Sequence, residues 1–357
     1  MSKARADYYP DLDGVRTLAV LMVVVHHWYR GESIVHHGGA MGVGLFFVLS
    51  GFLITNILFN QKDAFLSGKS REKINILKTF YIRRTLRIFP IYYLYITVLV
   101  ALGIGQSREI WPWLYGYAYN FLLYLTDNWH SGYVEHLWSL AIEEQYYLIW
   151  PALLLLWPSR RIWWLILGFI GLAMAFRAVM YLHHPASQFS KFPICQFDGF
   201  GIGSALSVWM RQGKRIRAGW FLWIFFWVLS FATKWERIHF HGLSFIGQVV
   251  PLYYIGCAFL IYEATMGTRG IAALFFRNPA VLYLGKVSYG LYLYHLFVPD
   301  LVIHLIFQFG IPFPPYWLLW VIYCGVTLLI TTISWFLIEK PINGLKDRFT
   351  YKTRKAS

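Results

Sequence analysis

The chain reads as an all-α polytopic membrane protein of about ten transmembrane helices with both termini cytoplasmic, and three observations carry that reading. Of its 357 residues, 58% are hydrophobic, 20% aromatic and only 14% charged, against roughly a quarter charged in ordinary soluble chains. Apolar windows of about 19 residues recur along the whole length. Basic residues crowd alternate connections, which is the positive-inside pattern.

The windows centre at about residues 23, 50, 96, 147, 171, 203, 227, 254, 293 and 326, with 111–125 as an ambiguous extra segment. Arg16, His26 and His27 bracket the first window and no small-x-small cleavage pattern follows, so it is expected to persist rather than act as a cleaved signal. Between the second and third windows lie Lys62, Lys69, Arg71, Lys73, Lys78, Arg83, Arg84 and Arg87. Arg160 and Arg161 follow the fourth window, and Arg211, Lys214, Arg215 and Arg217 the sixth. Opposite connections hold only Arg30, Arg108, Lys191, Lys234 and Arg237. The +15 net charge is therefore a topology signal, and no nucleic-acid partner is expected. The lipid bilayer is the partner that the composition demands.

No soluble domain, linker or internal repeat stands out. Residues 1–345 read as one transmembrane domain and 346–357 as a short basic cytoplasmic tail, with the longest polar stretch, Asn60 to Thr79, a cytoplasmic loop. Because the chain ends soon after its last window, the membrane domain is expected to work alone or with an unlinked partner. Cys195, Cys257 and Cys324 have no paired spacing, so neither disulfides nor a zinc site is expected. His36, His37, His183, His184, His239 and His241 are scattered over outer loops without ligand spacing, and no metal is expected there.

Chemistry has to come from polar residues inside apolar stretches, which are costly to keep there. Arg16 and His27 are eleven residues apart, hence on one helix face and roughly 16 Å apart along the axis. Asp13 is placed to cap this first helix. His27 is the stronger base candidate, because His26 points about 100° away. Gly42, Gly44 and Gly51 with Ser50 permit close approach of another helix or of a ligand to the backbone. Arg84 and Arg87, three apart, form a guanidinium pair suited to phosphate, although positive-inside anchoring accounts for the same spacing.

Glu143 and Glu144 lead straight into an apolar run and need basic partners at that depth. His136 shares a helix face with Glu143, with Ser139 between them. Ser288, Tyr292 and His295 form a polar stripe that could line a cavity. Glu339-Lys340-Pro341 reads as a helix terminus.

Five motifs in order then make the chain similar to one family. They are Asp13-Gly14-Val15-Arg16 with its Arg-x10-His spacing, Gly42-Val43-Gly44-Leu45-Phe46-Phe47-Val48-Leu49-Ser50-Gly51-Phe52, Arg83-Arg84-x-x-Arg87-Ile88-x-Pro90, His136-Leu137-Trp138-Ser139-Leu140 with Glu143-Glu144-Gln145, and Ser288-Tyr289-Gly290 leading to His295. Through nearly its whole length the chain resembles the membrane acyltransferase 3 family, which includes bacterial O-antigen and macrolide O-acyltransferases. The resemblance implies about ten helices in the bacterial inner membrane. It also implies an acyl-CoA donor, often acetyl-CoA, supplied from the cytoplasm, and a carbohydrate or other hydroxyl acceptor. It matches Arg16 and His27 to the family's essential pair, and Arg84 and Arg87 to an Arg-x-x-Arg motif facing the CoA phosphates. Gly44 departs from the pattern, since many relatives carry Asp there.

On that reading His27 acts as general base on the acceptor hydroxyl or first accepts the acyl group itself. Glu143 or Glu144 would orient a histidine or balance a buried arginine, and Arg16 would steady the CoA arm. A secondary transporter with intramembrane His, Arg and Glu is the alternative, and the lack of repeated halves or matched broken helices argues against it. A purely structural or receptor-like membrane protein is a third, weaker reading.

Overall fold

The computed structural model describes residues 9–29, 38–68, 72–130, 132–183, 189–215, 219–236, 250 and 252–351, with the side chains of 231–236 excepted. His36, His37, His184, His239 and His241, together with Arg30 and Arg237, lie outside the described residues.

Every described regular element is helical. The sequence of helices is α1 Asp11–Trp28, α2 Gly38–Leu66, α3 Lys73–Leu102, α4 Ser107–Tyr115, α5 Tyr119–Thr126, α6 Leu137–Leu156, α7 Ile162–His183 and α8 Phe197–Arg211. It continues with α9 Gly219–Glu236, α10 Leu252–Met266, α11 Ile271–Phe276, α12 Pro279–Lys286, α13 Ser288–Tyr294, α14 Phe297–Gln308 and α15 Tyr316–Ser334. Each apolar window found in the sequence has its centre inside one of these helices.

Four helical stretches among the described residues are long and apolar enough to cross a membrane: Gly38–Leu66, Lys73–Leu102, Ser159–His183 and Tyr316–Arg348. A fifth results if α13 and α14, bent by 52°, count as one broken span. Others fall short for visible reasons. α1 carries Asp11, Asp13 and Arg16 within its 18 residues, and α10 is only 15 residues long. Leu148, Leu156, Trp164, Leu182, Phe221 and Leu337 point outward with more than half of their surface exposed. An outward apolar face of this kind belongs against lipid, because water-facing monomers rarely carry one. The protein is a multi-pass membrane protein.

The segment 111–125 is resolved differently from a span. α4 and α5, 9 and 8 residues long, are roughly 13 Å each, too short to cross. They double back at Tyr117, whose φ is 49°. Tyr92 donates to the Leu114 carbonyl at 2.9 Å, and Gln145 to the Tyr117 carbonyl at 2.8 Å, tying the pair to α3 and α6.

Lys62 is not a loop cation as its position in the basic run implied. It sits buried in the last turns of α2 and donates to the carbonyls of Leu154 at 2.7 Å and Trp157, which closes the C-terminus of α6. A cation there meets the negative end of the helix dipole.

Among the described residues three large apolar clusters and one small one fill the interior, and α1, α2, α3 and α6, like α8, each contribute to two of the large ones. These four helices therefore meet along the seams between clusters, and polar groups on them face one another rather than lipid. Close approach of α2 and α8 depends on glycine. A Cβ on Gly51 would lie 2.1 Å from the Phe200 carbonyl oxygen, and one on Gly203 would lie 2.0 Å from that of Val48.

Gly51→Ala should accordingly cost about 1–3 kcal/mol. Gly168→Ala on α7, where nothing lies within 4 Å of the added carbon, should be neutral or gain up to ~1 kcal/mol. Thermal unfolding of both variants in detergent checks this, and equal shifts would refute the close-packing role of Gly51.

Candidate functional site

The polar residues on α1, α2, α3, α6 and α13 gather into two groups, one at each end of α1. At the α1 N-terminus the structure brings together Arg16, Arg84, Arg87 and Glu143. The start of α1 differs from the sequence expectation. Pro10 occupies the cap position, and Asp13, inside the first turn, pairs with Arg16 instead of capping.

Glu143 is the hub of this group. Its Oε1 accepts hydrogen bonds from Ser50 on α2 and Tyr147 on α6, and lies 3.6 Å from Arg84 Nη2 on α3. The Arg84 guanidinium also lies over the Tyr147 ring at 3.8 Å from its centroid. Arg84 thus has its counter-charge and a ring face from the protein, although its Nε is buried without a hydrogen-bond partner.

Arg87 is different. It is exposed, and no hydrogen bond or ion pair holds it among the described residues. Its electrostatic neighbours are Arg16, Arg84, Asp13 and Glu143. The Arg-x-x-Arg pair is therefore split: one member holds the scaffold together and the other faces open space.

Glu144 does not join Glu143. It feels Arg84 and Glu143, and it also acts on Tyr92, Tyr93, Tyr117 and Tyr289. This places it toward the aromatic packing between α3 and the α4–α5 hairpin. Neither carboxylate hydrogen-bonds a histidine among the described residues, so the orienting role considered for them is not what the geometry shows.

At the other end of α1, the histidines assemble. His27 Nδ1 lies 2.9 Å from the Val23 carbonyl and 3.1 Å from His295 Nε2. His295 Nδ1 lies 2.6 Å from the Tyr292 carbonyl. Those contacts assign the tautomers. A carbonyl only accepts, so His295 carries its proton on Nδ1 and offers a lone pair on Nε2. His27 Nδ1 then faces two acceptors and must be the protonated nitrogen. Neutral His27 is left with its lone pair on Nε2, the form required of a general base.

Further contacts hold this group in place. Trp28 Nε1 donates to the His295 carbonyl at 2.8 Å. His136 stands at the N-cap position of α6, with its ring 5.1 Å from that of His295 and 5.4 Å from that of Tyr292. The Tyr292 hydroxyl lies 2.5 Å from Ser139 Oγ and donates to the His136 carbonyl at 3.1 Å. The predicted face of α6 is realised along its length: His136 and Ser139 stand at the histidine end and Glu143 at the arginine end. Ser288 is buried at the first residue of α13, and no hydrogen bond or ring contact joins it to this group. The helix breaks at Val287, just before it, so Ser288 opens the same short helix that carries Tyr292 and ends at His295.

Three contributors were missed in the sequence. Ser50 was read as a packing residue, yet its hydroxyl serves Glu143. Glu339 was read as a terminus, but helix continues through Lys340–Gly344 and Glu339 lies buried in a π-turn, Trp335–Glu339. Arg87 is among its electrostatic neighbours. Its signal in the sequence is an acidic residue directly after an apolar run; the π-turn around it, of a type common at functional sites, is visible only in the structure. Lys191, counted only as an outer-loop cation, reaches His27 electrostatically.

A family model described as an acyltransferase domain matches residues 9–339. The chain belongs to that acyltransferase family. Over 96% of its length it is 29% identical to the peptidoglycan O-acetyltransferase OatA of Listeria monocytogenes, of which the alignment covers 57%. Over 94% of its length it is 30% identical to YrhL of Bacillus subtilis, a protein assigned provisionally to peptidoglycan O-acetylation, of which 55% is covered. A provisionally assigned O-acetyltransferase of Staphylococcus aureus is 26% identical over 95% of the chain and is covered to 58%. The chain therefore spans little more than half the length of these curated relatives. No solved structure matches it.

A double-mutant cycle on the acyltransferase, Arg84→Ala with Glu143→Ala, should show a coupling of about 1–3 kcal/mol in thermal stability. Arg87→Ala should leave the unfolding free energy unchanged within about 0.5 kcal/mol. Additive effects at Arg84 and Glu143 would break the assignment of Glu143 as the hub.

Proposed function

We propose that the protein is an integral membrane O-acyltransferase that moves an acyl group, acetyl by preference, from cytoplasmic acyl-CoA to a hydroxyl of a carbohydrate acceptor. Its setting is the bacterial inner membrane, crossed about ten times with both termini cytoplasmic. A cell-wall glycan of the kind for which OatA is named is the acceptor class that the relatives favour. The observation that carries this reading is the assigned tautomer of His27, a base with its free nitrogen at one end of α1 while an uncommitted arginine lies at the other.

CoA is a co-substrate, and the arginine end fits its phosphates unevenly. Arg87, exposed and without a protein partner, is the phosphate contact, and Arg16 stands beside it. Arg84 is already paired with Glu143 and packed on Tyr147, and serves to position Arg87. The axial distance between Arg16 and His27 is roughly 16 Å, of the order of an extended pantetheine arm, so the thioester can reach the histidines while the phosphates remain at the mouth.

His27 Nε2 takes the proton of the acceptor hydroxyl as that oxygen forms a bond to the thioester carbonyl carbon. The tetrahedral adduct collapses with cleavage of the carbon–sulfur bond, and the proton on His27 passes to the departing CoA sulfur. His295 keeps the Nδ1 proton of His27 in place through both proton transfers. Atoms and charge balance with acyl ester and CoA as the only products.

His27→Ala should lower acetyl transfer in membranes by about 10²–10⁴-fold at normal expression, the usual contribution of a positioned base. Arg87→Ala should raise the KM for acetyl-CoA about tenfold, equivalent to ~1.4 kcal/mol, with kcat little changed. CoA release and acylated glycan, followed by mass spectrometry, report both effects. Full activity of His27→Ala, or CoA release independent of any acceptor hydroxyl, would defeat the mechanism.

A further inference from the structure

The connection between α7 and α8 contains a short 3₁₀ turn, Phe189–Lys191, that is anchored from two sides. Asn120 Nδ2 reaches the Lys191 carbonyl at 3.5 Å, and Gln196 Nε2 donates to the Ser190 carbonyl at 2.7 Å. The Lys191 side chain leaves this turn toward the histidine end of the site. Its ammonium lies 4.0 Å from the Trp138 ring centroid and 5.0 Å from that of Trp129.

No carboxylate pairs with Lys191 among the described residues, and no hydrogen bond holds its ammonium. Among the described residues, its charge is seen to act on His27. Tryptophan faces attract a cation, but they do not repay the loss of its water. Burial pushes the Lys191 ammonium down to about 8. The protein therefore maintains a largely desolvated cation within electrostatic reach of its base without giving it a counter-charge. Trp129 is 38% exposed and Trp138 half-buried, so aromatic surface stays open around the ammonium. Trp138 is steadied from behind by Phe47 at 6.4 Å.

We infer that Lys191, Trp138 and Trp129 form an acceptor subsite for a saccharide bearing an oxyanion near the hydroxyl to be acylated. The ammonium pairs with the anion and the indole faces take the apolar face of the sugar ring. This subsite rests on the transferase reading above and adds a charge requirement to its acceptor. A carboxylate on the sugar and a lipid headgroup phosphate share the necessary chemistry. The position of the ammonium on Trp138, beside the histidines rather than on the outward apolar face, favours the sugar.

The test compares binding of two disaccharides to the full chain in phosphatidylcholine nanodiscs by saturation-transfer NMR. One is N-acetylglucosaminyl-N-acetylmuramic acid, which bears a carboxylate, and the other is chitobiose, which does not. The expected result is about tenfold tighter binding of the acid, lost in Lys191→Met, retained in Lys191→Arg, and fading in the wild type as pH rises through about 8. Equal binding of the two sugars, binding of neither, or a preference that survives Lys191→Met would overturn the subsite. So would a preference abolished by phosphatidylglycerol in the nanodisc, which would assign the ammonium to lipid. Acetyl-CoA binding measured in the same samples separates the two readings, because its absence from the wild type refutes the transferase and leaves the sugar preference to be judged independently.

Discussion

A carboxylate inside an apolar bundle needs partners, and Glu143 draws them to one oxygen, Oε1, from three helices at once. Ser50 reaches it from α2, Arg84 from α3, and Tyr147 from its own helix α6. Removing a partner from such a group leaves a charge uncompensated where water cannot replace it. The mutual position of α2, α3 and α6 is therefore fixed by polar geometry, whereas apolar contacts alone tolerate sliding. α1 packs against α2, so its two ends are placed relative to Glu143 as well.

The same constraint explains why two arginines three residues apart behave differently. Helical periodicity puts Arg84 and Arg87 on neighbouring positions, yet only Arg84 faces Glu143 closely enough to pair. Arg87 then stands next to two like charges, Arg16 and Arg84, with no hydrogen bond of its own among the described residues. Glu143 thus takes up one arginine of the pair, and Arg87 is left with carboxylates that act on it only at longer range, Asp13, Glu143 and Glu339.

Much of this was legible in the sequence, and the boundary of what was legible is physical. The Arg16–His27 face follows from helical period alone, and the adjacency of His136, Ser139 and Glu143 along α6 follows from the same rule. Which helix meets which does not follow from period. Nothing in the spacing of Tyr292 and His295 reveals that His295 will meet His27 across 268 positions, since such pairings arise from packing between helices. Lys62 differs from its sequence expectation for a related reason: a basic residue near a helix end has the same sequence signature whether it faces the cytoplasm or closes a neighbouring helix. Glu339 was set aside because a following Lys-Pro reads as a stop, although proline is tolerated at the first turn of a new helical segment.

Gly44 shows how a missing group is accommodated by volume rather than by charge. A Cβ there would lie 2.4 Å from Tyr253 Cε2 and 2.7 Å from Tyr254 Cε1, so the two rings of α10 occupy the space that an aspartate would need. Tyr254 is held in turn by Gln196. Gln196 precedes Asp198, which Arg177 grips through two nitrogens, Nη1 at 3.0 Å and Nη2 at 2.5 Å. An aspartate at position 44 would have to displace both tyrosines and would bring a second carboxylate toward this neutral pair. The aromatic filling and the buried Arg177–Asp198 pair are therefore one arrangement, and the glycine is the residue that allows it.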